Sequence, residues 1–185
     1  KNVYYGIFAF GDQMANNNNL KILNNEIGYP ETTGSIGLMG IAVLYCPDAI
    51  IEGNHIYNIG WINATSSQAM GIYINYGSNN AIIRNNRIHS IWNIYPTNYS
   101  GAFGINIISS SGILIANNEI FDIVTTNYNN SNTNYNPFGI RIMNNSNDIK
   151  IFNNSINLYG IQQPNSNYEN GSLSSCILIS NSLRL

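Results

Sequence analysis

One short pattern of apolar and polar positions recurs along the chain. It reads isoleucine, a variable residue, an Asn-Asn or Gly-Asn pair, another variable residue and isoleucine. The copies occupy residues 22–27, 51–56, 83–88, 115–120 and 151–156. A unit that returns about every 29 to 37 residues is typical of a solenoid, in which each coil buries its apolar residues against the next coil. The repeat therefore predicts the architecture before any single residue is interpreted.

A second pattern, Gly-Ile-x-Ile, precedes each of the later Asn pairs. It occupies residues 40–43, 71–74, 104–107 and 139–142, with a weaker copy at 6–9 and a glycine-less copy at 176–179. Alternating apolar and variable residues predict a strand with one buried face. A polar turn and a second strand follow it, and a third strand follows the Asn pair. We therefore predict an all-β protein, a parallel β-helix (β-solenoid) of about five to six coils with three short sheets.

The second residue of each pair is always asparagine. The five positions are Asn25, Asn54, Asn86, Asn118 and Asn154. Because asparagine tolerates the left-handed backbone conformation that a tight corner needs, we expect that conformation at these five residues. Their stacked amides can also form hydrogen bonds from coil to coil. The repeat thus predicts a structural asparagine ladder at one corner.

The composition excludes several classes of partner. Of 185 residues, 44% are hydrophobic and only 9% are charged, and the net charge is -2. The few basic residues are scattered, so the chain lacks the phosphate-neutralising patch of a nucleic-acid-binding protein. No apolar run approaches the ~20 residues that span a bilayer. Cys46 and Cys176 lie about four coils apart, too far for a disulfide, and we expect two packed thiols.

The Gly-Ile-x-Ile strand, the Ser/Asn-rich turn and the Asn-Asn-x-Ile motif together resemble the right-handed parallel β-helix family, specifically the repeats of pectate-lyase-like proteins. The resemblance covers the chain from Gly6 to the C-terminus. It implies one β-helix domain over residues 1–185. Because the sequence begins and stops within coils, we expect either a segment of a longer chain or copies that stack end to end. It also implies long loops on one side, beside the first sheet, where the enzymes of the family bind polysaccharide. The same repeat occurs in lyases, hydrolases, phage tailspikes and non-catalytic surface proteins, so it implies a fold more than an activity.

The outward positions of the first predicted strands show no catalytic group. Glycosidases need clustered carboxylates, and lyases need a basic residue and usually acidic ligands for calcium. No acid occupies these positions, and Arg141 is their only charge, which we expect to be an ordinary surface residue. We therefore predict no catalytic residue.

The remaining charges have structural explanations. Glu52 with Arg84, and Arg87 with Glu119, fall one coil apart and are predicted to form surface ion pairs. His55 and His89 fall in different columns and lack further ligands at a typical spacing, and no phosphate loop or zinc pattern is present. We expect no metal site and no cofactor.

The long loops carry the best candidates for ligand binding. They cover residues 28–37, 60–69, 92–103, 125–138 and 159–174. Aromatic rings among amides suit sugars, since rings stack on sugar faces and amides bond hydroxyl groups. The candidate carbohydrate-binding residues are Trp61, Trp92, Tyr95, Tyr99, Tyr128, Tyr135 and Tyr168. An alternative is that these rings cover the outside of the solenoid and hold the loops in place.

These expectations favour a non-catalytic segment of a secreted or cell-surface protein, with a structural, adhesive or carbohydrate-binding role. Its partners would be polysaccharide, another surface protein, further β-helix coils or copies stacked end to end. The alternative is a polysaccharide lyase or glycoside hydrolase of the pectate-lyase-like fold, whose catalytic residues lie in the loops or in coils outside this sequence. A neutral partner is favoured over a polyanion because the loops carry little charge.

Overall fold

The computed structural model describes residues 3–15, 17–30, 36–60, 68–93, 101–125, 136–158 and 174–180. These residues form strands in three columns, with one strand of each column in each complete coil. The first column contains β1 (Val3–Phe10), β4 (Ile36–Leu44), β7 (Ala69–Asn75), β10 (Ala102–Ile108), β13 (Pro137–Met143) and β16 (Ser175–Ser180). The second contains β2 (Lys21–Leu23), β5 (Ile50–Glu52), β8 (Ile82–Arg84), β11 (Leu114–Ala116) and β14 (Lys150–Phe152). The third contains β3 (Glu26–Ile27), β6 (His55–Ile59), β9 (Arg87–Asn93), β12 (Glu119–Thr125) and β15 (Ser155–Asn157).

The columns form a parallel β-solenoid, which confirms the predicted fold class. The second column is a 5-stranded sheet, whereas the first and third columns belong to one 11-stranded sheet. They are joined where Ile36 of β4 pairs with Ile59 of β6. The three predicted sheets are thus three columns in two sheets. The solenoid makes about 4 turns, which is fewer than the five to six coils predicted. The second column has five strands, and one turn of the chain leads from each strand to the next.

The core consists of isoleucines that lie in register from coil to coil. In the second column, Ile51 is aligned with Ile83, and Ile83 with Ile115. All three side chains are fully buried. Burial of a side chain of this size contributes about 1.5–3 kcal/mol, so the stacked isoleucines are the main source of stability. No helix in the described part of the chain is long and apolar enough to cross a bilayer.

The predicted asparagine ladder is present at the corner between the second and third columns. Each amide nitrogen donates to the amide oxygen of the next coil, from Asn25 to Asn54 at 2.9 Å and from Asn54 to Asn86 at 3.0 Å. The series continues to Asn118 at 3.0 Å and to Asn154 at 2.9 Å. The amide groups therefore satisfy one another's hydrogen-bonding capacity in a corner that excludes much of the solvent.

The left-handed backbone conformation was predicted at the wrong residue of each pair. It occurs at the first residue, as in Asn24 (φ 54°) and Asn85 (φ 56°), and not at the ladder asparagines. In the second copy of the motif, Gly53 takes this position with φ 67°. The two positions of the pair have different structural requirements. The first position needs a residue that tolerates positive φ, so it is asparagine or glycine, and the second needs a side-chain amide, so it is always asparagine.

The two cysteines are free thiols, as predicted from their separation. Cys46 is buried, and its thiol donates to the carbonyl oxygen of Leu44 at 3.2 Å. Burial raises the pKa of the Cys46 thiol. Cys176 is exposed, so the prediction of two packed thiols was wrong for this residue.

Candidate functional site

The outer face of the first column carries no acidic residue in the strands that the structure describes. Its outward positions are Phe8, Phe10, Ala42, Leu44, Tyr73, Asn75, Asn106, Ile108, Arg141, Met143, Leu178 and Ser180. Burial divides this face into two parts. Phe8 and Phe10 are 52% and 57% exposed, whereas Asn106 and Arg141 are 0% and 1% exposed. The accessible part is therefore aromatic.

Arg141 is buried, which contradicts the prediction of a surface residue. Its guanidinium carbon lies 3.8 Å from the centroid of the Phe103 ring, and its Nε donates to Oδ1 of Asn106 at 3.0 Å. Burial lowers the pKa of Arg141 to about 10, so the side chain is still a cation at neutral pH. An aromatic face and an amide oxygen stabilise this buried charge. The guanidinium is thus covered and cannot reach a polymer on the surface.

An exposed aromatic surface lies on the first three coils. We define it by Tyr5, Phe8, Phe10, Tyr45 and Tyr76. Successive rings are in contact: the centroids of Tyr5 and Phe8 are 4.9 Å apart, and those of Phe8 and Phe10 are 6.1 Å apart. Phe10 meets Tyr45 edge to face at 5.6 Å, and Tyr45 stacks on Tyr76 at 5.2 Å. The rings therefore form one continuous surface.

Strand alternation and turn geometry place these rings. In β1, Ile7 and Ala9 face the core, so Phe8 and Phe10 face outward. Tyr45 and Tyr76 follow β4 and β7, where each has a left-handed backbone conformation with φ 55° and 53°. Because the two turns lie in register, the two tyrosine rings stack. The sequence carries a signal for this surface, since the period-two alternation around the copy at residues 6–9 places Phe8 and Phe10 opposite the core-facing Ile7 and Ala9.

Of the seven predicted carbohydrate-binding residues, the structure describes only Trp92, and Trp92 does not contribute to the exposed aromatic surface. Trp92 lies inside β9, where it pairs with Val124 of β12, and its side chain is 8% exposed. Its assignment to a loop was wrong, because β9 continues to Asn93. The other six candidates lie outside the described residues: Trp61, Tyr95, Tyr99, Tyr128, Tyr135 and Tyr168.

A second polar and aromatic cluster lies on the outer face of the third column. Tyr57, His89 and Phe121 occupy equivalent positions of β6, β9 and β12. Their rings form a ladder, with centroid separations of 5.6 Å between Tyr57 and His89 and 4.6 Å between His89 and Phe121. All three side chains are only partly exposed, so this ladder is less accessible to a ligand than Phe8, Phe10 and Tyr76.

Hydrogen bonds link His89 to both neighbouring coils. Ser90 and Asp122 occupy equivalent left-handed positions, with φ 53° and 55°, and Ser90 Oγ donates to Asp122 Oδ2 at 2.9 Å. His89 Nδ1 lies 3.0 Å from Ser90 Oγ. On its other side, His89 Nε2 lies 2.8 Å from Nε2 of His55. His55 and His89 lie on adjacent strands of the third column at different register positions, as predicted, because His55 is aligned with Arg87 and Tyr57 with His89. They nevertheless meet diagonally, which the sequence did not indicate.

The two predicted ion pairs form beside this cluster and in the second column. Arg84 contacts Glu52 at 2.8 Å, and Arg87 contacts Glu119 at 3.1 Å. Hydrogen bonding from Arg84 lowers the pKa of Glu52. Since the four side chains are between 29% and 55% exposed, we expect these pairs to contribute little to stability.

Comparison with known proteins leaves the site to be interpreted from its own geometry. No protein-family model, curated protein or solved structure matches the chain. Within the described ranges, no group of three or more His, Cys, Asp and Glu side chains is arranged to hold a metal ion.

We expect the stability of the protein to fall as the pH drops from 7.5 to 5. Burial lowers the pKa of His89, and the charges of His55 and Arg87 lower it further. In the unfolded chain the histidine has a pKa of about 6.5, so it binds a proton at a higher pH than it does in the folded protein. The neutral folded form is therefore fully favoured above pH 6.5, and stability is lost as the pH falls from there through the folded pKa. Urea unfolding over this range, with EDTA present, measures the effect. His89→Phe keeps the ring stack and should reduce the slope; an unchanged slope would contradict the assignment to His89.

Proposed function

We propose that this chain is a non-catalytic, right-handed β-helix segment of a pectate-lyase-like protein, and that it binds neutral carbohydrate at its exposed aromatic surface. The proposal includes a secreted or cell-surface location, as for the non-catalytic members of the family that the repeat resembles. The observation that carries the binding proposal is the continuous contact of five rings, of which Phe8, Phe10 and Tyr76 are 52%, 57% and 50% exposed.

The accessibility of the rings supports a binding role. Soluble proteins rarely expose large contiguous apolar patches, and such patches commonly mark sites of interaction. The aromatic surface crosses three coils, so with a strand spacing of about 4.8 Å it extends about 10 Å along the solenoid axis. Flat rings offer apolar faces to sugar rings, and the hydroxyl groups of Tyr5, Tyr45 and Tyr76 can bond to sugar hydroxyls.

The chemistry of the surface favours a neutral polymer. Its five side chains are phenyl and phenol groups, without a basic residue to pair with a uronate. Among the described residues, the one cation on the outer face of the first column is Arg141, which is 1% exposed. A polyanion would need accessible arginine or lysine, because carboxylates are bound mainly by charge-assisted hydrogen bonds. The arrangement thus supports recognition by stacking.

Affinity electrophoresis against a panel of neutral and acidic polysaccharides tests the proposal. We expect retardation by at least one neutral polysaccharide and little by the acidic ones. Phe8→Ala and Phe10→Ala should each weaken the affinity about tenfold, corresponding to ~1.4 kcal/mol per lost ring contact.

Phe152 provides the matched control. It lies in β14 on the second column and is 49% exposed, so Phe152→Ala removes an equally accessible ring elsewhere. This variant should bind as the unmodified protein does. Equal losses in all three variants, or no binding to any polysaccharide, would refute the proposal. New reducing ends or unsaturated products would favour a hydrolase or lyase instead.

A further inference from the structure

We propose that His55 and His89 form a binding site for a divalent transition metal ion such as Zn²⁺, Ni²⁺ or Cu²⁺. The chain has 2 histidines in 185 residues, and the structure brings both together. Their Nε2 atoms are 2.8 Å apart although the residues are separated by 34 positions. Each side chain is only partly buried, so an ion can reach the pair from solvent.

The hydrogen bonds around His89 determine which of its nitrogens can bind a metal. The hydroxyl hydrogen of Ser90 is donated to Asp122 Oδ2 at 2.9 Å. Ser90 Oγ must therefore accept the hydrogen bond from His89 Nδ1 at 3.0 Å, which places the ring proton on Nδ1. His89 Nε2 then carries an acceptor lone pair directed at His55. A carboxylate that orients a histidine through its second nitrogen is a common feature of metal sites.

The position of His55 completes the pair of ligands. In the metal-free protein, its Nε2–H donates to His89 Nε2. When His55 carries its ring proton on Nδ1 instead, both Nε2 lone pairs are available to one ion. Two nitrogens bound at ~2.0–2.1 Å in tetrahedral geometry lie about 3.4 Å apart, so the rings need to separate by only about 0.6 Å. Water would occupy the remaining positions of the ion.

The ring stack holds the site in place from one side. His89 stacks on Phe121 with a centroid separation of 4.6 Å and an interplanar angle of 9°. His55 stacks on Tyr57 of the same strand at 4.6 Å. Separation of the two imidazoles therefore falls mainly to His55, because His89 is fixed by both Phe121 and Ser90.

The charged groups around the pair carry a net negative charge, which favours a cation. Glu26 lies beside His55 in register and accepts the Tyr57 hydroxyl at 3.0 Å, and Asp122 lies behind Ser90. Arg87 is the one cation in the described part of this cluster, and its ion pair with Glu119 at 3.1 Å offsets its charge. Two imidazoles favour Zn²⁺, Ni²⁺ and Cu²⁺ over the oxygen-preferring Ca²⁺ and Mg²⁺.

Calorimetric titration with Zn²⁺ at pH 7.5 tests the site. The protein should carry Cys176→Ser, because the exposed Cys176 thiol could bind zinc by itself. We expect one ion per chain, with an affinity that falls as the pH is lowered, because metal ions compete with protons for their ligands. His55→Phe and His89→Phe keep aromatic rings in the stack and should weaken binding by more than about 100-fold. Asp122→Asn should weaken it by about 10–100-fold, as expected for an indirect partner.

Two further measurements separate the site from general effects on the fold. Tyr57→Phe keeps the aromatic ring that stacks on His55 and removes only its hydroxyl group, so the affinity for Zn²⁺ should be unchanged. In the protein with both histidines intact, Ni²⁺ should broaden the NMR signals of both imidazoles at the same metal concentration. Failure to bind Zn²⁺ in a one-to-one ratio, binding that survives His55→Phe or His89→Phe, or broadening of one imidazole alone would overturn the proposal.

Discussion

Replacement of Asn86 by alanine will lower the free energy of unfolding by about 3–5 kcal/mol. The Asn86 amide nitrogen donates to the carbonyl oxygens of Ile51 and Arg84 at 2.9 and 3.0 Å and to Oδ1 of Asn118 at 3.0 Å. Its Oδ1 accepts from the backbone and side-chain nitrogens of Asn54, both at 3.0 Å. A buried hydrogen bond contributes about 0.5–1.5 kcal/mol, and a buried group left without its partner costs about 1–3 kcal/mol.

The effect will be specific to the second residue of the pair. Asn85 precedes Asn86 and has φ 56°, a conformation that glycine adopts without strain. Since Gly53 occupies the equivalent position one coil earlier, Asn85→Gly should change the free energy of unfolding by less than about 1 kcal/mol. Urea unfolding followed by far-UV circular dichroism compares the two variants. If the free energy of unfolding fell by a similar amount in both variants, the backbone conformation of the corner, and not the amide ladder, would determine stability.

Replacement of Gly71 by alanine will cost about 3 kcal/mol or more. Gly71 lies in β7, where the first column passes close to the third. A Cβ added there would lie 2.6 Å from the carbonyl oxygen of Gly104 and would also overlap the Cγ2 methyl group of Ile88. Overpacking of a core commonly costs about 1–3 kcal/mol, and here a backbone carbonyl, which cannot rotate away, is part of the obstacle. The close approach explains why glycine begins the Gly-Ile-x-Ile pattern.

Gly77 supplies the control for this prediction. It has φ 70°, and an added Cβ would meet nothing within 4 Å. Gly77→Ala therefore tests only the cost of a left-handed conformation, about 1–2 kcal/mol. The same urea titration measures both variants. If Gly77→Ala were as destabilising as Gly71→Ala, steric overlap would not be the reason for glycine in the repeat.

The regular part of the fold was predictable because it depends on local patterns. The alternation in residues 71–74 determines which side chains face the core, and Ile72 and Ile74 are fully buried as expected. The assignment of left-handed backbone failed within one residue pair. Asparagine suits both a positive φ and an amide ladder, so its residue type could not distinguish Asn85 from Asn86.

The contacts that outward-facing side chains make on the outside of the solenoid were not predictable in the same way. Arg141 was expected on the surface, but Phe103 covers its guanidinium group at 3.8 Å. Trp92 was expected in a loop, but it pairs with Val124 inside the sheet. Both outcomes depend on what packs across the outside of a coil, and the repeat carries no information about those contacts.

By itself, the sequence determined the solenoid, its ladder and the column of each repeated motif, because these follow from a side-chain period of two and from the recurrence of the motifs. The tertiary structure decided which outward residues remain accessible and which diagonal neighbours meet. Phe8 and Phe10 remain exposed while Arg141 is buried on the same face. His55 and His89 converge because they are diagonal neighbours on adjacent strands about 4.8 Å apart, and register alone does not specify whether such side chains lean toward each other.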